Sequence, residues 1–135
     1  MFKKRVLGLL VGLLAGLSAL VTMSVSAQQD RPDRDPIDVQ VINGQIVVAE
    51  DEAYTTNRHG GIVWRLVTQG YRFPDNGIVI DSRGKHRCGA GPNGQRYRCA
   101  KLRHDAGERY KYVVNVVEAR SGNSLQPLDP WIVND

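Results

Sequence analysis

The stretch from Arg83 to His104 holds the residue types that could do chemistry. It contains both cysteines of the chain, Cys88 and Cys99, and two of the three histidines, His86 and His104. It also contains seven Lys/Arg and no Asp or Glu. This composition is compatible with a disulfide, a metal site or a surface that binds anions.

The two cysteines favour a structural disulfide, because an exported chain meets an oxidising compartment. A two-residue turn at Asn93-Gly94 pairs Pro92 with Gln95, and the same register places Cys88 opposite Cys99. Opposed residues of antiparallel strands have Cα atoms within reach of a disulfide. We expect the bond to stabilise the fold by about 3 kcal/mol. A redox role is disfavoured, since catalytic dithiols usually lie two residues apart at the start of a helix.

Basic residues on both arms of this predicted hairpin form a candidate anion-binding surface. Alternate residues of a strand share a face, so each arm can present its cations together. Such a face would suit an acidic polysaccharide, a lipid phosphate or an acidic protein surface. The alternative is an exposed charged hairpin that only protects a sheet edge from aggregation. The candidate residues are Arg83, Lys85, Arg87, Arg96, Arg98, Lys101 and Arg103.

A metal site is the weaker alternative, with His59, His86 and His104 as the available imidazoles. A blue-copper site needs two His, one thiolate and a weak axial ligand, commonly Met. Both methionines lie in the first 27 residues, and the thiols are expected to be oxidised to each other. The sequence therefore predicts no cofactor. It also lacks a hydrolase motif such as Gly-x-Ser-x-Gly, so a small secreted hydrolase would need catalytic groups from scattered positions.

Residues 1–27 follow the pattern of a secretory signal peptide. Lys3, Lys4 and Arg5 precede an apolar run, and Val25-Ser26-Ala27 fits a cleavage site. We therefore expect a periplasmic or secreted protein. An uncleaved anchor is the alternative, although the apolar run is short for a membrane span of about 20 residues.

Removal of this segment changes the charge of the chain. It carries three of the 18 Lys/Arg and none of the 14 Asp/Glu, so residues 28–135 have a net charge of +1. This small value disfavours nucleic acid as a partner. Residues 28–57 carry −5 and residues 58–135 carry +6. The acidic residues Glu50 to Glu52 could therefore cover the basic hairpin, and the sequence leaves this question open.

The pattern after residue 36 predicts one small all-β domain. Residues 28–36 are Pro- and Asp-rich and read as a flexible leader. Asn43-Gly44 between two β-branched runs indicates a tight hairpin. Period-two alternation predicts strands around Ile62–Leu66 and along one long run from Glu108 to Ala119, whereas residues 51–61 read as a polar connection. With a closing edge strand after Pro130, the chain predicts an antiparallel β-sandwich of seven or eight strands over residues 37–135.

Two runs, "GIVWRLVTQGYRFPDNGIVI" and "YKYVVNVVEARSGNSLQPLDPWIVN", carry a resemblance that covers Gly61 to Asn134. An early Trp strand, a late Tyr-x-Tyr strand and the closing "DPWIVN" resemble small exported bacterial β-sandwich domains of uncharacterised function, with cupredoxin-like or immunoglobulin-like folds. The resemblance implies a fold and no reaction. The chain departs from cupredoxins in lacking their ligand set. We expect a non-catalytic binding or interaction module of the bacterial envelope, whose partner the sequence does not identify.

Overall fold

The computed structural model describes residues 31–81, 86–100 and 105–135, and every regular element within them is a β-strand. The all-β class is confirmed, with more and shorter strands than expected. The predicted signal peptide, residues 1–27, lies outside the described residues. No helix long and apolar enough to cross a membrane occurs in the described ranges. The strands are β1 (Ile37–Ile42), β2 (Gln45–Val48), β3 (Glu52–Thr55), β4 (Gly61–Leu66), β5 (Tyr71–Arg72), β6 (Ile78–Ile80), β7 (Arg87–Ala90), β8 (Arg96–Ala100), β9 (Arg109–Val114), β10 (Val117–Glu118) and β11 (Trp131–Asn134).

Two main sheets form a sandwich-like fold. The five-stranded sheet has the order β2-β1-β4-β8-β7 and the four-stranded sheet the order β3-β11-β9-β6, while β10 and β5 form a separate pair. Most neighbours are antiparallel, but β1 pairs with β4 and β3 pairs with β11 in parallel. Apolar and polar residues alternate in the same way in both kinds of pair. The sequence pattern therefore predicted the strands without revealing the two parallel pairs.

The hydrophobic core contains the inward faces of both main sheets. On β4, Ile62, Trp64 and Leu66 are buried at every second position, as the period-two pattern predicts. Tyr112 and Val114 of β9 are buried on the other sheet. The rings of Trp64 and Tyr112 meet with their centroids 5.2 Å apart. Full burial of an apolar side chain stabilises a fold by about 1.5–3 kcal/mol, so these residues hold the two sheets together.

The turn between β1 and β2 has the conformation that its sequence predicts. Asn43 and Gly44 both have positive φ, at 51° and 74°, and Ile42 pairs with Gln45 across them. Positive φ at both central residues is the requirement of a tight two-residue hairpin turn. This prediction is confirmed.

The expected polar connection between β2 and β4 contains a strand that the sequence did not predict. Ala53 and Thr55 of β3 are buried while Tyr54 is exposed, so the segment does alternate. The Thr55 hydroxyl donates to Asn134 Oδ1 at 2.8 Å inside the sheet. The strand was missed because its buried residues are small or polar.

The closing strand β11 is an interior strand, and its prediction as an edge strand was wrong. It lies between β3 and β9. Pro130 precedes the strand, so its missing N–H leaves the ladder intact. Its carbonyl accepts a hydrogen bond from the Tyr112 N–H at 3.0 Å.

The long strand predicted from Glu108 to Ala119 is divided into β9 and β10. Between them, the Asn115 N–H donates to Gly77 O at 2.7 Å and the Asn115 side-chain amide donates to Asn76 O at 2.7 Å. Beyond this point the chain leaves β6 and β11 and pairs with β5. The adjacent residues Val116 and Val117 are both buried, so the alternation shifts by one residue at the change of partner, and the predicted period-two pattern did not include this shift.

Residues 31–36 precede β1 and contact the chain near the start of β4. Gly60 N donates to Pro32 O at 2.9 Å, and Arg34 N donates to Gly61 O at 3.2 Å. The Arg34 guanidinium forms an ion pair with Glu50, with nitrogen and oxygen 2.7 Å apart. These contacts position Asp33 beside the five-stranded sheet.

Candidate anion-binding face

The hairpin of β7 and β8 is crosslinked by a disulfide between Cys88 and Cys99. The two residues are direct partners in the strand register, with Cα atoms 4.0 Å apart. Both the pairing and the register agree with the prediction from the sequence. Cys99 is fully buried, whereas Cys88 is exposed. The bond therefore ties an exposed edge strand to a strand of the core.

Side-chain alternation brings arginines onto the outer face of this hairpin. On β8, exposed Arg96 and Arg98 alternate with buried Tyr97 and Cys99. On β7, Arg87 is exposed and pairs with Ala100, which lies on the same face as Arg98. Three of the predicted basic residues therefore share one face of a crosslinked hairpin.

The neighbouring strand β4 adds a fourth cation. Arg65 is exposed and is the direct cross-strand partner of Arg96. Residues directly opposite in adjacent strands project to the same side of the sheet. Arg65, Arg87, Arg96 and Arg98 together are called the arginine face below. Arg65 was absent from the predicted site, although its polar side chain at an outward position of an apolar strand was a usable signal.

Two aspartates lie against the arginine face. Asp33 accepts hydrogen bonds from both Nε and Nη2 of Arg98, at 2.7 and 2.8 Å. Asp38 accepts from Nε of Arg65 at 2.7 Å, and this hydrogen bond lowers the pKa of the Asp38 carboxyl. Within the described ranges, no hydrogen bond or ion pair engages the side chains of Arg87 and Arg96. The face therefore combines two paired and two unpaired guanidinium groups.

The acidic segment Glu50 to Glu52 does not pair with the described part of the hairpin. Glu50 pairs with Arg34, and Glu52 pairs with Arg109 and accepts a hydrogen bond from the Tyr54 hydroxyl. The cover on the arginine face comes instead from Asp33 and Asp38. Acidic residues of the first part of the chain therefore neutralise part of the positive charge of this face. The residues that do so are Asp33 and Asp38, and not Glu50 to Glu52.

The backbone under Arg96 is held from both sides. Gln95 O accepts from Leu66 N at 2.8 Å, and the Gln95 side-chain amide donates to Tyr71 O at 2.9 Å. On the other side, the buried Tyr97 donates its hydroxyl hydrogen to Asp75 O. The backbone at Arg96 is therefore fixed, whereas the Arg96 side chain can change its conformation.

Tyr97 is itself fixed by close packing. Its ring meets the Phe73 ring edge-on, with centroids 5.7 Å apart. Gly77 lies so close that a Cβ built on it would be 2.8 Å from the Tyr97 ring. Burial raises the pKa of the Tyr97 phenol, so the anchor under the arginine face stays neutral.

Two of the three histidines, His59 and His86, lie in the described ranges. His59 Nδ1 accepts a hydrogen bond from Thr56 N at 3.1 Å, which keeps this nitrogen engaged. Among residues 31–81, 86–100 and 105–135, no group of three or more His, Cys, Asp or Glu is placed to hold a metal ion. His104 lies outside the described residues, as do the predicted cations Arg83, Lys85, Lys101 and Arg103.

Comparison of the sequence with protein-family models and with curated proteins finds no match.

Proposed function

We propose that the chain is an exported, non-catalytic binding module of the bacterial envelope that holds an anionic partner on the arginine face. The observation that carries the proposal is the pair Arg87 and Arg96. Both are exposed on one side of a disulfide-crosslinked hairpin, and in the described ranges neither meets a carboxylate. The export pattern of residues 1–27 and the disulfide agree with a periplasmic or secreted location.

The aspartates already on the face indicate the chemistry that suits it. Arg98 holds Asp33 through two parallel N–H donors, the geometry that a guanidinium offers to carboxylate and phosphate groups. A single exposed ion pair contributes only about 0–1 kcal/mol. A partner must therefore present several anionic groups at once, which favours a polymer or an extended acidic chain over a small anion.

The test is a titration of residues 28–135, with the disulfide intact, against linear polyphosphate. We expect binding that weakens steeply between about 50 mM and about 200 mM salt. Added salt screens the attraction between the arginines and the polymer, and it reduces the entropy gained when the polymer releases its counterions. The Arg87→Gln/Arg96→Gln variant should bind about tenfold more weakly, the effect of losing two exposed charge contacts.

Arg120→Gln provides the matched control. Arg120 is exposed in the turn after β10, and β10 belongs to a separate strand pair and not to the sheet that carries the arginine face. Its loss changes the net charge by one without touching the proposed site. An equal loss of affinity per charge in both variants would reduce the effect to net charge and overturn the proposal, as would the absence of salt-sensitive binding.

A further inference from the structure

The strand β7 has an outer backbone edge that pairs with no other strand of the described structure. It is the last strand of the five-stranded sheet. Gly91 N donates to Arg96 O at 2.8 Å, which makes this pair a hydrogen-bonded one. Hydrogen-bonded pairs recur at every second residue of an antiparallel ladder, so the backbone of Gly89 also bonds to β8. Cys88 and Ala90 therefore direct their backbone N–H and C=O groups away from β8, toward the open edge of the sheet.

Arg87 is the one residue of β7 whose charge can protect this edge. Sheet edges are commonly blocked by charged side chains, by Pro or by bulges, and the remaining β7 residues, Cys88, Gly89 and Ala90, include no charged residue and no Pro. All four residues are exposed. The Cys88 side chain is tied inward by the disulfide. A Cβ built on Gly89 would meet no atom within 4 Å, so the outer face of the hairpin is open above this residue.

The charges beside the edge indicate what would pair with it. Arg87 lies on β7 itself, and Gly89 is the direct partner of Arg98 on β8. Because Gly89 has no side chain, a long acidic side chain from an added strand could extend over it toward Arg98. A strand added to β7 would place every second side chain on the arginine face, where carboxylates meet Arg87 and compete with Asp33 for Arg98.

We propose that β7 binds an extended acidic segment of a partner protein as an added β-strand. The added strand would exchange backbone hydrogen bonds with Cys88 and Ala90, and its alternate Asp or Glu side chains would meet the arginine face. Main-chain pairing supplies affinity in this mode of recognition, and alternate side chains supply specificity. This inference rests on the proposed function, since it specifies the anionic partner as a peptide.

The test uses a synthetic peptide that alternates Glu with Thr and Val, titrated against residues 28–135 with the disulfide intact. Ala90→Pro removes one outward N–H and leaves the bonds between β7 and β8 in place, because proline is tolerated where an edge N–H faces solvent. We expect Ala90→Pro to weaken peptide binding at least tenfold and to leave polyphosphate binding unchanged. Ala90→Ser is the matched control, since it changes the same residue and keeps its outward amide.

A second measurement does not depend on the proline variant folding. The same peptide with alternate backbone amides methylated on one edge keeps its charges and loses its donors. It should bind at least tenfold more weakly, and the unmethylated peptide should slow hydrogen exchange at the Cys88 and Ala90 amides. Equal binding of both peptides, with exchange unchanged, would overturn the inference.

The outcomes separate the two proposals. Polyphosphate binding without peptide binding would keep the arginine face and reject strand addition. If neither probe binds, both proposals fall. Concentration-dependent dimerisation that Ala90→Pro abolishes would show that the edge pairs with a second copy of this chain, which would also overturn the partner proposed here.

Discussion

The indole Nε1–H of Trp64 donates a hydrogen bond to the hydroxyl oxygen of Tyr112, with 3.3 Å between nitrogen and oxygen. Trp64 lies on β4 and Tyr112 on β9, so this bond joins the two main sheets. Both side chains are fully buried. Burial raises the pKa of Tyr112 to about 12, although the hydrogen bond from Trp64 lowers it. The core therefore accommodates the neutral phenol.

This raised pKa predicts a loss of stability at alkaline pH. Above about pH 10, the usual tyrosine value, the unfolded chain releases the phenol proton, while the folded chain keeps it up to about 12. The unfolded state then binds fewer protons, so the free energy of unfolding falls as pH rises. The contribution is fully present below about pH 10, and at most about 3 kcal/mol is lost by pH 12. Urea unfolding across this range measures the effect.

Tyr112→Phe is the control for the alkaline prediction. At neutral pH it should be less stable by about 1–3 kcal/mol, because the Trp64 N–H loses its partner in the core. Its stability should then decline less between about pH 10 and 12 than that of the parent chain. An identical decline in both proteins would assign the effect to other groups, such as the buried Tyr97.

Removal of the disulfide should destabilise the domain without changing its fold. We expect Cys88→Ala/Cys99→Ala to lower the free energy of unfolding by about 2–4 kcal/mol, since the crosslink restricts the unfolded chain. Melting temperatures of both proteins with and without reductant provide the measurement. Reductant should lower the melting temperature of the parent and leave that of the variant unchanged. Equal stability of parent and variant in oxidising buffer would contradict the structural role of the bond.

Gly77→Ala should disturb the anchor beneath the arginine face. The new Cβ would lie 2.8 Å from the Tyr97 ring and 2.9 Å from Phe73 Cβ. Crowding of this kind in a packed interior costs about 1–3 kcal/mol. Gly89→Ala is the control, because its Cβ meets nothing within 4 Å. If denaturant unfolding shows equal stability for the two variants, the contact of Gly77 with the ring does not limit the packing.

Asp33→Asn should strengthen anion binding. Loss of the carboxylate releases Arg98 from its bidentate ion pair, so affinity for polyphosphate should rise several-fold while stability changes by no more than about 1 kcal/mol. Asp35→Asn is the matched control, because it makes the same change in charge at an exposed residue whose side chain forms no hydrogen bond or ion pair within the described ranges. Equal gains in the two variants would mean that net charge alone controls binding.

The sequence predicted the features that depend on residues close in the chain. Asn43-Gly44 identified its turn because few residues accept positive φ at both positions. The pairing of Cys88 with Cys99 followed from a short hairpin register. Trp64 fell into the core by simple alternation.

The features that the sequence did not predict depend on residues far apart in the chain. Asp33 and Arg98 are separated by 65 positions, and nothing near Asp33 identifies its partner. Arg65 joined the candidate site only because β4 lies beside β8. The interior position of β11 likewise depends on β3, whose small and polar residues gave a weak strand pattern.

The ion pair between Asp33 and Arg98 gives the arginine face a tethered competitor. Asp33 belongs to the same chain, so its effective concentration at Arg98 is in the millimolar range expected for a short tether. A monovalent carboxylate in solution must exceed that concentration to displace it, whereas a ligand with several linked anionic groups can first bind Arg87 and Arg96 and then replace Asp33. Under the proposed function, the segment before β1 would set a valency threshold and make the face more selective than four exposed arginines alone.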